Sequence, residues 1–359
     1  MERRVARLRE AMARRGYEAF WITRGPNRYY LSGFRSSAGA LLITRDRSCL
    51  ITDFRYVEAA RQAAPDFEVH RHGQGPEEDM LAVGRRILEE ESVRRVGFEA
   101  GDLSWAAGEE LRRRWEGLEV LPDQDLVEEL RRVKEPEEVE AVATACRISE
   151  EALEETLPLL KPGVREAEFA LALEFAMRRR GAEGVAFEFI VASGPRGALP
   201  HGYASERRVE AGDLVTIDFG ASWRGYAADI TRTVAVGRAD EEQRRIYEIV
   251  RQAQAAGLAA VRAGVRGGDV DAVARQLIAA EGFGPAFGHS LGHGVGLDVH
   301  EAPRLASGSE DLLEPGMVVT VEPGIYRPGW GGVRIEDTVV VTEDGCRNLC
   351  SSPKELRIL

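Results

Sequence analysis

Short apolar runs alternate with amphipathic stretches along the first 125 residues of the chain. The runs have the length and composition of buried strands, and the stretches between them place apolar residues at helical spacing. The predicted strands cover 19–23, 40–44, 48–52, 67–70, 94–98 and 118–121, and the predicted helices cover 2–15, 54–63, 77–91 and 105–115. This alternation predicts a complete small α/β domain over residues 1–125.

A charged helical pattern begins at Asp123 and breaks at Lys134-Glu135-Pro136, where proline suits the first turn of a following helix. We predict that the domain boundary lies in this stretch, within a few residues, and divide the chain into domains 1–125 and 126–359. A chain of 359 residues is long enough for each domain to bury its own core.

The second domain contains one pattern twice. Residues 210–218 and 314–322 each place an apolar strand after a glycine turn and end on a carboxylate. Helical patterns precede both copies, at 136–160 and 165–181 for the first and at 240–262 and 268–281 for the second. A unit that occurs only twice predicts an α+β domain with a pseudo-twofold internal repeat, because a solenoid requires three or more stacked units.

Four carboxylates occupy equivalent places in the two copies. Asp218 and Glu322 end the two strands, and Asp229 and Glu336 follow in the frame acid-x-Thr. Four converging carboxylates would repel one another strongly, and a pair of divalent cations relieves that repulsion. His293 lies in a segment too rich in glycine for a stable helix, so we predict a loop that adds an imidazole ligand. A ligand set without thiolate favours Mn²⁺, with Co²⁺ or Zn²⁺ as alternatives.

Histidines give a second signal, because four of the six lie in this half of the chain. His201 and His300 lie outside the two hairpins, so they suit proton transfer or hydrogen bonding to a developing oxyanion. For His289 a packed structural role remains open beside a functional one. Arg334 lies two residues before Glu336, and we predict that it orients this carboxylate from the same strand face.

Composition narrows the choice of partners and compartment. The net charge of −12 argues against nucleic acid and against an anionic membrane surface. The sequence shows no apolar run of bilayer length and no signal-peptide pattern. The four cysteines form no Cys-x-x-Cys pair, which is typical of structural thiols in a reducing compartment. We therefore expect a cytoplasmic protein.

With these residues assembled, the chain resembles the metallopeptidases of pita-bread fold, which include prolidase (Xaa-Pro dipeptidase), aminopeptidase P and methionine aminopeptidase. The first 125 residues resemble the creatinase-type N-terminal domain of prolidases and aminopeptidases P, with 27–34 as a recognisable stretch. Methionine aminopeptidases lack that domain, and creatinases lack the metal ligands. The resemblance therefore favours the prolidase and aminopeptidase P branch.

The resemblance implies two divalent metal ions per chain and a role for each ligand. Asp218 binds one metal, and Asp229 and Glu336 bridge both. His293 and Glu322 hold the second metal, and Glu322 is also the implied proton shuttle in hydrolysis of the peptide bond before proline.

The resemblance also implies the substrate pocket and the assembly. The pocket residues are the histidines His201, His289 and His300, of which His201 and His300 stabilise the oxyanion. Arg304 matches a position that, in small prolidases, is implicated in binding the free carboxylate of a dipeptide. Substrates are small peptides with proline after the cleaved bond, and the expected assembly is a homodimer.

Two alternatives stay open beside a dipeptidase. The stretches 333–342 and 352–356 also resemble bacterial aminopeptidase P-like proteins, which act on longer peptides, and Arg304 could be an ordinary loop arginine. Some pita-bread proteins have lost ligands and only bind other molecules. The intact ligand set argues against such a binding protein.

Overall fold

The computed structural model describes residues 1–73, 75 and 78–359. Within them the chain divides into two units, Met1–Arg131 and Arg132–Leu359. Glu77, the first residue of the predicted helix 77–91, lies outside the described residues. Among the described residues, none of the helices is both long enough and apolar enough to cross a membrane.

The N-terminal unit is built on one six-stranded mixed sheet with the strand order β4-β3-β2-β1-β5-β6. Its strands are β1 (Ala19–Ile22), β2 (Ala40–Thr44), β3 (Ser48–Thr52), β4 (Glu68–Arg71), β5 (Arg95–Glu99) and β6 (Glu119–Asp123). Its helices are α1 (Glu2–Arg15), α2 (Gly25–Ser32), α3 (Val57–Ala63), α4 (Met80–Glu90), α5 (Trp105–Arg114) and α6 (Leu126–Arg131). The predicted α/β alternation is confirmed, and α2 is the helix that the pattern did not predict.

A buried carboxylate fixes the start of α2. Glu99, at the end of β5, accepts hydrogen bonds from the backbone N–H groups of Thr23 and Arg24, both at 2.7 Å. It also accepts one from Asn27 Nδ2 at 2.6 Å. Burial raises the pKa of Glu99 to about 7.

Residues from Arg132 onwards form the C-terminal unit, whose elements follow the predicted repeat. The helices are α7 (Pro136–Thr156), α8 (Glu166–Arg179), α9 (Glu241–Ala260) and α10 (Gly267–Ala280). The strands up to α9 are β7 (Gly184–Val185), β8 (Ile190–Ser193), β9 (Leu214–Phe219), β10 (Ala221–Trp223), β11 (Tyr226–Ala227) and β12 (Ile230–Ala235). Those after α10 are β13 (Gly292–Gly294), β14 (Glu301–Leu305), β15 (Val318–Val321), β16 (Gly324–Arg327), β17 (Gly331–Arg334), β18 (Asp337–Val341) and β19 (Cys346–Asn348).

Each copy of the repeat contributes one antiparallel strand pair that carries two of the acids. In the first copy β9 pairs with β12, and in the second β15 pairs with β18. The sheets around these pairs have the orders β12-β9-β8 and β14-β13-β15-β18-β19. A short hairpin lies between the two strands of each pair, β10–β11 in the first copy and β16–β17 in the second.

The loop predicted around His293 is wrong for residues 292–294. These residues form β13, which pairs with β14 on one side and β15 on the other. The two glycines permit this position, because a Cβ atom on Gly292 would lie 2.0 Å from the Thr320 carbonyl oxygen, and one on Gly294 would lie 2.2 Å from that of Ala302. Glycine content here reflects close backbone approach between strands rather than an irregular segment.

The raised pKa of Glu99 leads to a prediction about stability. A carboxyl group whose pKa is 4.5 unfolded and about 7 folded stabilises the folded state fully below pH 4.5. That contribution, roughly 3 kcal/mol, is lost as the pH rises from 4.5 through 7. We therefore expect Glu99→Gln, which cannot ionise, to lower stability overall but to reduce the fall in thermal midpoint between pH 5 and pH 8.

Glu116→Gln, at an exposed position of the same unit, is the matched control and should keep the pH dependence of the wild type. If Glu99→Gln also keeps it, Glu99 is ionised throughout this range in the folded protein. Thermal unfolding followed by circular dichroism at several pH values measures both variants.

Candidate metal centre

The structure brings the five predicted ligands to one pocket. Asp218 is part of β9, and Asp229 directly precedes β12. Glu322 directly follows β15, and Glu336 directly precedes β18, so both hairpins present their acids at strand ends. His293 comes from the middle of β13. All five line a pocket of about 300 Å³.

Short distances connect the ligand atoms. One potential ligand atom from each of Asp229, His293 and Glu336 lies within 4.8 Å of the other two. His293 Nε2 is 3.5 Å from Asp229 Oδ2 and 3.2 Å from Glu322 Oε1. Its other nitrogen, Nδ1, lies 3.1 Å from the Gly294 carbonyl oxygen, which can only accept a hydrogen bond. Nδ1 therefore carries a proton, and Nε2 is the nitrogen directed at the carboxylates.

The protein places too little positive charge near the buried carboxylates to keep all of them ionised. Burial and then the neighbouring carboxylate Glu336 raise the pKa of Asp229 well above its ordinary value. Burial and then Glu322 and Asp218 do the same to the pKa of Glu336. The pKa of Asp218 is also raised, chiefly by burial, although the nearby Arg334 guanidinium opposes this. Divalent cations would supply the missing charge and would keep the acids ionised.

Two further observations fit a pair of hard or borderline divalent ions. Asp218 Oδ1 is buried and has no hydrogen-bond partner among the described residues, so an acceptor oxygen remains for a cation. The donor set contains four carboxylates, one imidazole and no thiolate, which suits such ions better than a structural zinc site. Asp218, Asp229, Glu322, Glu336 and His293 are therefore the residues that would hold them.

Arg334 and Thr231 form hydrogen bonds with the predicted ligands Asp218 and Glu336. Arg334 Nη2 donates to Asp218 Oδ2 at 2.7 Å, and its Nε donates to Thr231 Oγ1 at 3.0 Å. Thr231 Oγ1 in turn donates to Glu336 Oε2 at 2.7 Å. Arg334 thus reaches Glu336 through Thr231, and its direct partner among the acids is Asp218 of the other copy of the repeat. The prediction of a shared strand face is wrong, because Arg334 ends β17 and Glu336 lies outside that strand, directly before β18.

The predicted pocket residues also line this cavity. His201, His289, His300 and Arg304 surround the ligands, and the His300 ring centroid lies 4.3 Å from that of His293. His289 uses both ring nitrogens internally, since Nδ1 lies 2.8 Å from the Ser290 carbonyl oxygen and Nε2 lies 2.9 Å from Tyr326 Oη. A carbonyl oxygen only accepts, so Nδ1 is protonated and Nε2 accepts from Tyr326.

The pattern of the sequence did not reveal several residues of the site. Tyr326 links His289 to Arg334, whose Nη1 donates to the tyrosine oxygen at 2.8 Å. The apolar wall of the pocket includes Phe187, Ile190, Tyr203 and Val299. All of them lie outside the repeated acidic frames, so the repetition carried no signal for them. Thr231 did have a signal, because it is the threonine of the acid-x-Thr frame.

The segment that carries His201 is held by Glu166 at the start of α8. This buried carboxylate accepts hydrogen bonds from the N–H and hydroxyl groups of Ser193, at 2.8 and 2.6 Å. It accepts the same pair from Ser205, at 3.1 and 2.7 Å, and pairs with Arg196. Both ends of the segment 193–205 are therefore fixed to one carboxylate.

A second group of metal-ligating side chains, Cys49, Glu68 and His70, lies on β3 and β4 of the N-terminal unit. Arg47 already binds Glu68, with Nη2 at 2.7 Å from Oε2. Burial raises the pKa of Cys49 to about 12, so its thiol stays protonated. We assign no metal to this group.

The comparisons with known proteins agree with this geometry. Residues 140–343 match metallopeptidase family M24, and residues 4–133 match the creatinase/prolidase N-terminal domain. An uncharacterised peptidase of Bacillus subtilis is 44% identical over 356 residues, covering 99% of this chain and 100% of that protein. The Xaa-Pro dipeptidase of Pyrococcus horikoshii is 38% identical over 357 residues, covering 99% of each chain.

Solved structures show the same architecture over the full chain. The Xaa-Pro dipeptidase from Bacillus anthracis matches with a TM-score of 0.96 and 43% identity, covering 100% of this chain and 99% of that one. The X-Pro aminopeptidase from Thermotoga maritima matches with a TM-score of 0.92 and 39% identity, covering 99% of each. The predicted creatinase-type N-terminal domain and pita-bread catalytic domain are confirmed. The chain therefore belongs to metallopeptidase family M24.

Proposed function

We propose that this protein hydrolyses the peptide bond before proline in Xaa-Pro dipeptides, with two divalent metal ions per chain. The observation that carries the proposal is one pocket lined by all five ligand side chains and by the guanidinium-bearing Arg304. The names of the Pyrococcus and Bacillus anthracis relatives support the same substrate class. A non-catalytic binding role has no support in a site that keeps every ligand.

The donor set supports Mn²⁺ as the native ion, with Co²⁺ and Zn²⁺ as alternatives, because oxygen ligands with a single imidazole suit manganese. Asp218 would bind one ion, Asp229 and Glu336 would bridge both, and His293 and Glu322 would hold the second. When bound, such ions polarise a carbonyl group and lower the pKa of a water molecule.

Glu322 is the group that moves protons in this proposal. Burial acts to raise the pKa of Glu322, but the hydrogen bond and charge of His293 outweigh it and hold that pKa below its ordinary value. Once His293 binds an ion through Nε2, the charge of the cation would replace that of His293 and act in the same direction. An ionised Glu322 can take a proton from the attacking water and deliver it to the proline nitrogen as the C–N bond breaks. The products are a free amino acid and proline.

Two histidines then stabilise the oxyanion that develops on the scissile carbonyl. Burial and then the nearby charge of His293 lower the pKa of His300, so its imidazole is neutral near pH 7 and donates one hydrogen bond. His201 lines the same pocket from the segment fixed by Glu166. Donors placed in advance around a developing negative charge lower the activation barrier.

Arg304 supports a dipeptide rather than a longer substrate. Arg304 is one of the residues that line the pocket, and its guanidinium forms no hydrogen bond or ion pair among the described residues. Its backbone is fixed, because Arg304 N donates to Asp311 Oδ2 at 2.9 Å. A planar guanidinium is well suited to bidentate binding of a free carboxylate.

An aminopeptidase acting on longer Xaa-Pro peptides is the second candidate. The Thermotoga maritima structure, called an X-Pro aminopeptidase, covers 99% of this chain at 39% identity. The dipeptidase and the aminopeptidase match this chain with similar fold and identity. Rates on dipeptides and on longer peptides therefore distinguish the two activities.

We also propose a cytoplasmic homodimer. The four cysteines are free thiols, and three of them are buried, which supports a reducing compartment. Pairing of subunits is supported by the resemblance of the N-terminal unit to the creatinase-type domain.

The metal proposal predicts two divalent ions per chain and loss of hydrolysis in the presence of a chelator, with Mn²⁺ or Co²⁺ restoring activity best. Asp229→Asn should lower activity and metal content more than Arg334→Lys. Asp229 is a charged metal ligand in this proposal, whereas Arg334 only orients the ligand Asp218 through a hydrogen bond. Elemental analysis and steady-state rates measure both. A fully active protein without metal would end this proposal.

The role of Arg304 predicts a dependence on substrate length. Arg304→Ala should raise KM for Xaa-Pro dipeptides roughly tenfold to hundredfold, because a charge-assisted pair contributes about 1.5–3 kcal/mol. The effect on Xaa-Pro-Xaa tripeptides should be much smaller, since their carboxylate lies one residue further away. Arg347→Ala, at an exposed arginine of β19 outside the pocket lining, is the matched control.

If the wild type prefers tripeptides and Arg304→Ala leaves dipeptide kinetics unchanged, the aminopeptidase assignment replaces the dipeptidase.

The assembly proposal predicts a mass of two chains in solution. Light scattering at micromolar concentration should give about twice the chain mass of 39.5 kDa. A monomer with full activity at that concentration would contradict it.

A further inference from the structure

A buried ion pair in the catalytic unit lies outside the pocket. Lys134 Nζ is 3.2 Å from Glu301 Oε2, and the two side chains are only 1% and 8% exposed. Neither residue lines the metal pocket. A buried charge pair is costly to form, so its position in the fold calls for a physical reason.

The Glu301 carboxylate lies against the loop 296–300. Its Oε1 accepts a hydrogen bond from Asp298 N at 2.9 Å, and Gly296 N donates to Asp298 O at 3.0 Å. A Cβ atom on Gly296 would lie 2.8 Å from the same carboxylate oxygen, so the loop backbone is in direct contact with it. The carboxylate therefore sets the course of the loop.

This loop carries two residues of the pocket wall. Val299 and His300 both line the pocket, and His300 immediately precedes Glu301. The His300 ring packs edge-on against His293, with 4.3 Å between the centroids. A change in the loop would move this ring relative to the ligands.

Lys134 is fixed to the strand that leads to a metal ligand. Its backbone N–H donates to Gly316 O at 3.0 Å, and Val133 forms a bridge with Met317. Gly316 and Met317 directly precede β15, after which Glu322 follows. The ion pair thus joins the base of one ligand strand to the loop of His300.

We propose that Lys134 and Glu301 are positioning residues that hold His300 in its place beside the metal ligands. The inference rests on the proposed peptidase function, in which His300 stabilises the oxyanion. Lys134 acts only through the loop, because its ammonium touches Glu301 and the Arg132 carbonyl oxygen, at 3.3 Å, rather than the pocket.

A double-mutant cycle tests whether Lys134 acts through His300. With metal saturated, Lys134→Met should lower kcat by about tenfold to hundredfold in the wild-type background, because small displacements of catalytic groups have effects of this size. In a His300→Ala background the same substitution should change kcat less than about twofold, since non-additivity shows that two residues act together. Lys134→Arg should retain most of the activity.

Stability is separated from positioning by a second variant. Lys134→Met/Glu301→Leu removes both buried charges, so its thermal midpoint should recover towards the wild type while kcat stays low. Arg15→Met, which removes the part-buried pair with Asp123 in the N-terminal unit, is the control for a loss of stability alone and should leave kcat unchanged.

A readout without activity keeps this inference separate from the proposed function. The chain has six histidines, so imidazole resonances in the Zn²⁺-loaded protein can be assigned by single substitutions. Lys134→Met should shift the His300 resonances and leave those of His70 and His72 in place. Equal losses of kcat in both backgrounds, or unchanged His300 resonances, would overturn the inference even if the protein is a dipeptidase. Failure of the wild type to cleave any Xaa-Pro peptide would overturn the proposed function instead.

Discussion

The repulsion among four carboxylates in one buried pocket is the constraint to which the rest of the C-terminal unit is adapted. Asp229 and Glu336 have strongly raised pKa values, because neither burial nor neighbouring acids favour their ionised forms. Within the protein, Arg334 and His293 offset only part of this repulsion. Bound cations would lower the free energy of this pocket, so we expect metal affinity and folding of this unit to be linked.

Buried acids have a second use in this unit, as anchors for irregular segments. Glu166 holds both ends of the segment with His201, and Glu301 holds the loop with His300. Loops expose backbone donors that regular structure would otherwise satisfy, and a carboxylate can accept several of them at once. Two pocket histidines thus come from segments whose backbone donors are bound by a buried carboxylate.

The convergence of the four acids on one pocket was predictable because their sequence frame occurs twice in the chain. Asp218 and Glu322, like Asp229 and Glu336, occupy equivalent frames, so covalent spacing alone was enough to pair them. Contacts between segments that are distant in the chain produce no such repeated pattern in the sequence. Arg334 contacts Asp218 of the other copy rather than nearby Glu336. The glycines around His293 predicted a loop. In the structure they are part of β13, where the neighbouring strands come too close for a side chain at Gly292 and Gly294.

The two acid-x-Thr frames exchange support across the repeat. Thr231 of the first copy donates to the Glu336 carboxylate of the second, and Thr338 of the second donates to the Asp229 carbonyl oxygen of the first, both at 2.7 Å. Each half therefore completes a ligand position that belongs to the other, as two subunits do across an isologous interface. A single half could form such a centre only by pairing with a second copy of itself.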